Sequence, residues 1–188
     1  MTRIVLMGPP GAGKGTQAVK VAERLGVPHI STGAIFRANM AAGTELGSAA
    51  ERYMQAGEYV PDKLTNAMVT ERLSQPDAAG GFILDGYPRT VAQVSELDRI
   101  LSGLGTRLDR VVEITADVEE LVGRLLNRAL EQGRADDTEE VIRRRMAVYA
   151  QQTEPLVRIY EGRGMLVQVD GMGSMEEVTD RVLAALES

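Results

Sequence analysis

The chain has 188 residues, 44% of them hydrophobic, with 27 acidic against 21 basic side chains and a net charge of −6. That length supports one substantial core rather than two large independent ones, and the acidic balance works against a broad nucleic-acid or anionic-membrane surface. Cysteine is absent, which excludes disulfides, a thiol nucleophile and cysteine-based zinc sites.

No stretch approaches the roughly 18 apolar residues of a membrane span. Met1, Thr2 and Arg3 run straight into an apolar segment without the pattern of an export signal, so a cytoplasmic protein is the expectation. No helix displays an unpaired apolar face, so a monomer is expected. Only three of the basic residues are lysines, Lys14, Lys20 and Lys63. The rest are arginines, whose planar fork suits bidentate contact with phosphate.

Ile4, Val5, Leu6 and Met7 predict a buried strand. Directly behind them stands Gly8-Pro9-Pro10-Gly11-Ala12-Gly13-Lys14-Gly15-Thr16, and helical spacing follows from Thr16 to Leu25. Strand, glycine-rich turn, lysine and helix in that order make the context of a phosphate-binding loop. The glycines let successive N–H groups point inward at an anion, the helix adds its positive end, and Lys14 reaches the outer phosphates. One detail departs from the general pattern: Gly15 stands where Ser or Thr would hold Mg²⁺, and Thr16 follows one residue later. One helical residue is a rotation of about 100°, so Thr16 is no simple substitute.

Val27, Pro28, His29 and Ile30 predict a short second strand, with His29 as a strand-end residue. Ser31-Thr32-Gly33 leads into a helix carrying Ile35, Phe36 and Met40. Leu46, Ala49, Ala50, Tyr53 and Met54 make another that Gly57 ends. Residues 31–60 thus interrupt a strand-helix-strand crossover with two short helices, the place of a substrate flap. Pro61 is placed to open a helix through Leu64, Ala67, Met68 and Leu73.

Gly81-Phe82-Ile83-Leu84-Asp85 predicts a buried strand ending in a carboxylate, as a phosphate loop needs nearby to orient Mg²⁺ or its waters. Val94, Leu97, Leu101 and Leu104 make the next helix face, and Arg110 to Ile114 the fourth strand. Val118, Leu121, Val122, Leu125, Leu126 and Ala129 share one helical stripe and leave Arg124 and Arg128 on another face. Residues 131–137 form a polar connection, and helix resumes from Val141 through Arg143, Arg144 and Arg145 until Pro155 breaks it. Met165 to Asp170 is the fifth strand. Ser174 and Glu177 have capping-box spacing for a last helix with Met175, Val178, Val182 and Leu186 facing inward.

This alternation predicts an α/β fold: a five-stranded parallel sheet covered on both faces, with ligand chemistry at the carboxyl ends of its strands. Lys14, Asp85, Arg89, Arg124, Arg128, Arg134 and Arg145 are then all expected at one edge, a site for several phosphates at once. No general base stands out, and none is needed if the acceptor is a nucleotide phosphate, whose second pKa of about 6 leaves it anionic at neutral pH.

The loop form Gly-x-x-Gly-x-Gly-Lys-Gly-Thr-Gln ending at Gln17 resembles the nucleoside monophosphate kinases, and the adenylate kinase family in particular. So do Ser31-Thr32-Gly33 with Arg37, the 57–60 stretch, Asp85-Gly86-Tyr87-Pro88-Arg89-Thr90 with Gln93, and Gly133-Arg134-Ala135-Asp136-Asp137 with Arg145. The likeness spans nearly the whole chain. It implies a P-loop NTPase-type domain over residues 1–188, comprising a core (1–30, 61–128, 138–188), an AMP-binding insertion at 31–60 and a short lid at 129–137 that leaves no room for a zinc-bearing β insert.

The implied activity is reversible, Mg²⁺-dependent phosphoryl transfer from ATP to AMP giving two ADP. ATP would be held by Gly11, Ala12, Gly13, Lys14, Gly15 and Thr16, with Arg124, Arg128 and Gly173. AMP would be held by Thr32, Arg37, Glu58, Tyr59, Val60, Gly86, Tyr87, Pro88, Arg89 and Gln93, with Gln93 meeting the adenine edge. Arg134 and Arg145 would descend with the lid, and Lys14, Arg89, Arg124, Arg134 and Arg145 would neutralise the transferring group. Asp85 would hold Mg²⁺ through water. Asp136 and Asp137 would serve the lid or the metal. Tyr87 stands where many relatives carry phenylalanine. Two alternatives stay open: a UMP/CMP-type kinase, and a nucleotide-binding module without activity.

Overall fold

The computed structural model describes residues 2–132 and 138–187. Its spine is a sheet of five parallel strands, β1 (Thr2–Met7), β2 (His29–Ser31), β3 (Gly81–Asp85), β4 (Arg110–Thr115) and β5 (Leu166–Asp170), in the spatial order β2-β3-β1-β4-β5. The inner strands are near-continuous apolar runs because helices cover both faces. Every residue of β3 is buried, as are Ile4, Val5, Leu6 and Met7 of β1.

Successive strand residues feed opposite layers. On one face Ile4, Leu6, Ile83, Val112 and Val169 pack against α1 (Lys14–Leu25) through Ala18 and Val21, and against α9 (Met175–Glu187) through Val178 and Val182. On the other, Val5, Met7, Phe82, Leu84 and Val111 meet α4 (Asp62–Leu73), α5 (Val91–Gly103) and α8 (Pro155–Gly162). The helices α2 (Thr32–Ala41) and α3 (Glu45–Gln55) lie between β2 and α4 and join this second cluster through Phe36, Ala50 and Met54. The α6 (Val118–Gln132) and α7 (Glu139–Val148) helices follow β4.

Register sets the strand ends level. Leu6 and Ser31 both pair with Asp85, and Thr115 pairs with Asp170, so the loops after all five strands leave from one edge. The chain builds outward from central β1 first to one side (β3, β2) and then to the other (β4, β5). That reversal opens a crevice beyond the end of β1, where such sheets bind ligands.

Side-chain caps fix several helix starts: Ser31 accepts from Ala34 N, Thr44 from Gly47 N, Thr90 from Gln93 N and Thr138 from Val141 N. Each such cap is worth about 1 kcal/mol. The capping box at α9 forms in both directions, Ser174 N to Glu177 Oε2 at 2.8 Å and Glu177 N to Ser174 Oγ at 3.3 Å. The expected break before Pro155 takes the form of one wider turn, Tyr149–Thr153, in which Glu154 N reaches Tyr149 O, after which Pro155 opens α8.

Some boundaries and faces differ from expectation. The first helix begins at Lys14 rather than Thr16, and α6 continues through Glu131 and Gln132, which the spacing assigned to the polar connection. Leu104, Leu126 and Met175, expected on buried faces, are 46%, 37% and 55% exposed. Leu104 lies just past the last residue of α5, and Met175 is the first residue of α9; at helix ends the neighbouring turn that would cover a side chain is missing.

Candidate active site

The crevice is a cleft of about 830 Å³. On one side stands the loop after β1. At Gly8 the backbone has φ of +141°, and a Cβ there would lie 2.4 Å from the Ile114 carbonyl oxygen, so the loop turns directly against β4 and only glycine fits. Ala12 is buried with Ile114 and Leu121 in a cluster of its own beneath the loop. Burying such an Ile or Leu contributes about 1.5–3 kcal/mol, more than an exposed ion pair, so packing fixes the loop's position.

Gly13 precedes α1 without any side-chain cap. The first N–H groups of a helix have no partner within it, so this end offers them, with the positive end of the helix dipole, to an anion. Lys14 Nζ donates to Gly8 O at 2.8 Å and Pro9 O at 2.9 Å, which folds the side chain back over the loop.

The facing side is assembled from distant segments. Thr32, 2% exposed, donates to Gly86 O at 2.9 Å, and a Cβ on Gly86 would lie 2.7 Å from the Thr32 hydroxyl. Arg89 Nε donates to the same Gly86 carbonyl at 2.8 Å, and its guanidinium lies 4.9 Å from the centre of the Tyr59 ring. Thr153 Oγ1 donates to Arg89 O at 2.8 Å, so in the 2.6 Å contact between Tyr59 and Thr153 the tyrosine is the donor. The Gln93 amide accepts from Arg89 N at 2.7 Å and donates to Asp62 Oδ1 at 2.6 Å.

Arg37 folds back over Gly33, and Glu58 pairs with Arg144 of α7. Tyr87 is buried and precedes a cis proline. Its hydroxyl donates to Asn66 Oδ1 at 2.8 Å, and burial, with Glu96 and Asp62 nearby, pushes its pKa up, so it stays a donor.

Asp85 joins the two sides. Burial pushes its carboxyl up, but His29, Lys14 and Arg89 outweigh that and hold it below the ordinary aspartate range, so it is ionised at neutral pH. His29 Nε2 sits 3.6 Å from Asp85 Oδ2, too long for a hydrogen bond, and that nitrogen has no hydrogen-bond partner among the described residues. Across the cleft Arg124 reaches Gly171 O at 3.4 Å and Glu120 at 3.1 Å.

Lys14, Asp85, Arg89, Arg124 and Arg145 therefore border one cleft, together with the rest of residues 11–16, Thr32, Arg37, Glu58, Tyr59, Val60, Gly86, Tyr87, Pro88, Gln93 and Gly173. The Arg128 side chain and residues Gly133, Arg134, Asp136 and Asp137 lie outside the described residues. His29, Tyr149 and Thr153 also border the cleft, although no local pattern marks them.

A model of the adenylate kinase family matches residues 6–165. The chain belongs to the adenylate kinase family. An adenylate kinase of Kocuria rhizophila is 64% identical over 187 residues, covering 100% of both chains. One from a Nocardioides species is 60% identical over 185 residues, 98% of this chain and 97% of the relative, and one from Thermobifida fusca is 54% identical over 186 residues, 99% and 98%. Membership of the adenylate kinase family makes the chain an enzyme of nucleotide phosphoryl transfer.

Mg²⁺ typically takes one or two carboxylates and completes its shell with water and substrate phosphate. One ionised carboxylate, Asp85, lies 3.6 Å from where a Gly15 Cβ would stand, and no group of three or more His, Cys, Asp or Glu assembles among the described residues. That donor set fits a cation arriving with a nucleotide. Among the described residues no helix is long and apolar enough to cross a membrane.

Proposed function

We propose that the enzyme transfers the terminal phosphoryl group of ATP to AMP, reversibly, giving two ADP, with Mg²⁺ bound alongside ATP. The observation that carries this reading is a single cleft with an uncapped helix start and Lys14 at one end and Arg89, Thr32 and Gln93 at the other.

ATP takes the loop side. The N–H groups of residues 11–16 and Lys14 hold its phosphates, while Arg124, Arg128 and Gly173 flank it. AMP takes the other side, held by Thr32, Arg37, residues 58–60, residues 86–89 and Gln93, with 31–60 as its insertion. Its phosphate oxygen is already anionic and attacks without a base. What remains is to align the two nucleotides and to cancel charge on the group in transit, the tasks of Lys14, Arg89, Arg124 and Arg145, and of Arg134 from the short lid at 129–137. Asp85 would hold Mg²⁺ through water, and the ion would supply further neutralisation of the ATP phosphates. Closure of the lid over both nucleotides keeps water from the phosphoryl group.

A coupled assay of ADP formation from ATP with AMP, UMP, CMP or GMP tests the proposal. AMP is expected to be the preferred acceptor. Preference for UMP or CMP identifies a pyrimidine nucleotide kinase instead, and ATP binding without turnover of any acceptor identifies an inactive module.

A further inference from the structure

Gln93 is 2% exposed and held at both ends of its amide. Oε1 accepts from the Arg89 backbone N–H at 2.7 Å, and Nε2 donates to Asp62 Oδ1 at 2.6 Å. The second oxygen of Asp62 accepts from Thr90 Oγ1 at 3.1 Å, and Thr90 caps α5 by accepting from Gln93 N at 3.2 Å. Asp62 opens α4 and does not border the cleft, so it acts on a ligand only through the residues it holds, Gln93 directly and again by way of Thr90.

A backbone N–H can only donate and a carboxylate can only accept. The two neighbours therefore demand the same orientation of the amide, oxygen toward Arg89 and nitrogen toward Asp62. Turning it over sets N–H against N–H and oxygen against carboxylate. Losing two hydrogen bonds in a buried site disfavours that orientation by roughly a hundredfold.

A locked amide leaves one N–H and one oxygen position for a ligand, in a fixed order. Adenine and cytosine present an amino donor beside a ring-nitrogen acceptor. Guanine and uracil present a carbonyl acceptor beside a ring N–H, the reverse order. An amide free to turn over serves either pair, whereas a fixed one accepts one order and opposes the other.

We propose that Asp62 is a specificity-positioning residue: by fixing the orientation of the Gln93 amide it makes the acceptor pocket take an amino-bearing nucleobase and reject a keto-bearing one. This rests on the reading that Gln93 meets the acceptor base. A carboxylate that merely favoured the start of α4 would affect stability and leave base choice untouched.

The test is Asp62→Asn, which keeps the shape of the side chain and removes its charge. A carboxamide meets either end of Gln93, so the lock falls to Arg89 alone. The ratio of kcat/KM for AMP over GMP is expected to fall about tenfold or more. In a Gln93→Ala background the same substitution should leave that ratio within about twofold, since coupled residues do not add. A ratio unmoved by Asp62→Asn, or moved equally in both backgrounds, overturns the proposal. A Gln93→Ala enzyme that keeps the full AMP preference overturns the underlying reading instead. Should Asp62→Asn fail to fold, the native protein decides by nitrogen-15 NMR of the Gln93 side chain, identified by its loss in Gln93→Ala. Slow exchange with solvent and an order parameter as high as that of rigid backbone are expected, and rapid exchange with a low order parameter overturns the lock.

Discussion

On the loop side of the cleft, Lys14 Nζ is tied to carbonyls five and six positions back, and the loop and the start of α1 come from one contiguous stretch. On the Arg89 side, Thr90 and Gln93 reach Asp62 across 28 and 31 positions, Thr32 reaches Gly86 across 54, and Thr153 reaches Arg89 across 64. The loop can shape an anion site from its own backbone. The Arg89 side exists only once the sheet has brought four segments together, so residues outside the cleft can tune it.

The largest expected effect lies on the long-range side. Arg89→Ala should lower turnover by about 10³- to 10⁵-fold, roughly 4–7 kcal/mol, if its guanidinium neutralises charge on the group in transit. Steady-state kinetics decide this, and a loss below tenfold removes Arg89 from the catalytic set. On the local side, Gly8→Ala drives a Cβ into the Ile114 backbone at a positive φ. It should cost about 2–5 kcal/mol and lower the melting midpoint by roughly 5–15 °C. An unchanged melt would mean that the loop does not press on β4.

The same contrast of scale decides what could be read from the chain alone. Contiguous features were legible: the phosphate loop from its glycines and Lys14, β3 from its apolar run into Asp85, the Ser174–Glu177 box, and the break at Pro155. Asp62 and Thr153 were not, because their partners stand 31 and 64 positions away and no local period marks them. The Tyr87 hydroxyl carried no signal either, since its partner Asn66 lies on α4. Leu104 and Met175 were misplaced because periodicity assigns faces without seeing where a helix ends.

A smaller effect separates the two sides by ligand. Gln93→Ala should weaken the preference for AMP by about tenfold while the ATP half-saturation concentration stays within about twofold. Equal losses for both nucleotides would contradict the division of the cleft. The smallest effect belongs to the ion pair that ties Glu58, on the cleft wall, to α7. Glu58 and Arg144 are 34% and 54% exposed, so Glu58→Gln should cost no more than about 1 kcal/mol in denaturant unfolding, fading as salt is raised. A larger, salt-independent loss would show this tie to be structural.

The central claim is that two nucleotides meet end to end in this cleft and exchange a phosphoryl group. Incubating the purified protein with Mg²⁺ and ADP alone tests it most directly, because the reverse reaction needs nothing else. ATP and AMP are expected in equal amounts, whereas ADP that persists unchanged in the presence of protein shown to bind it would contradict the account.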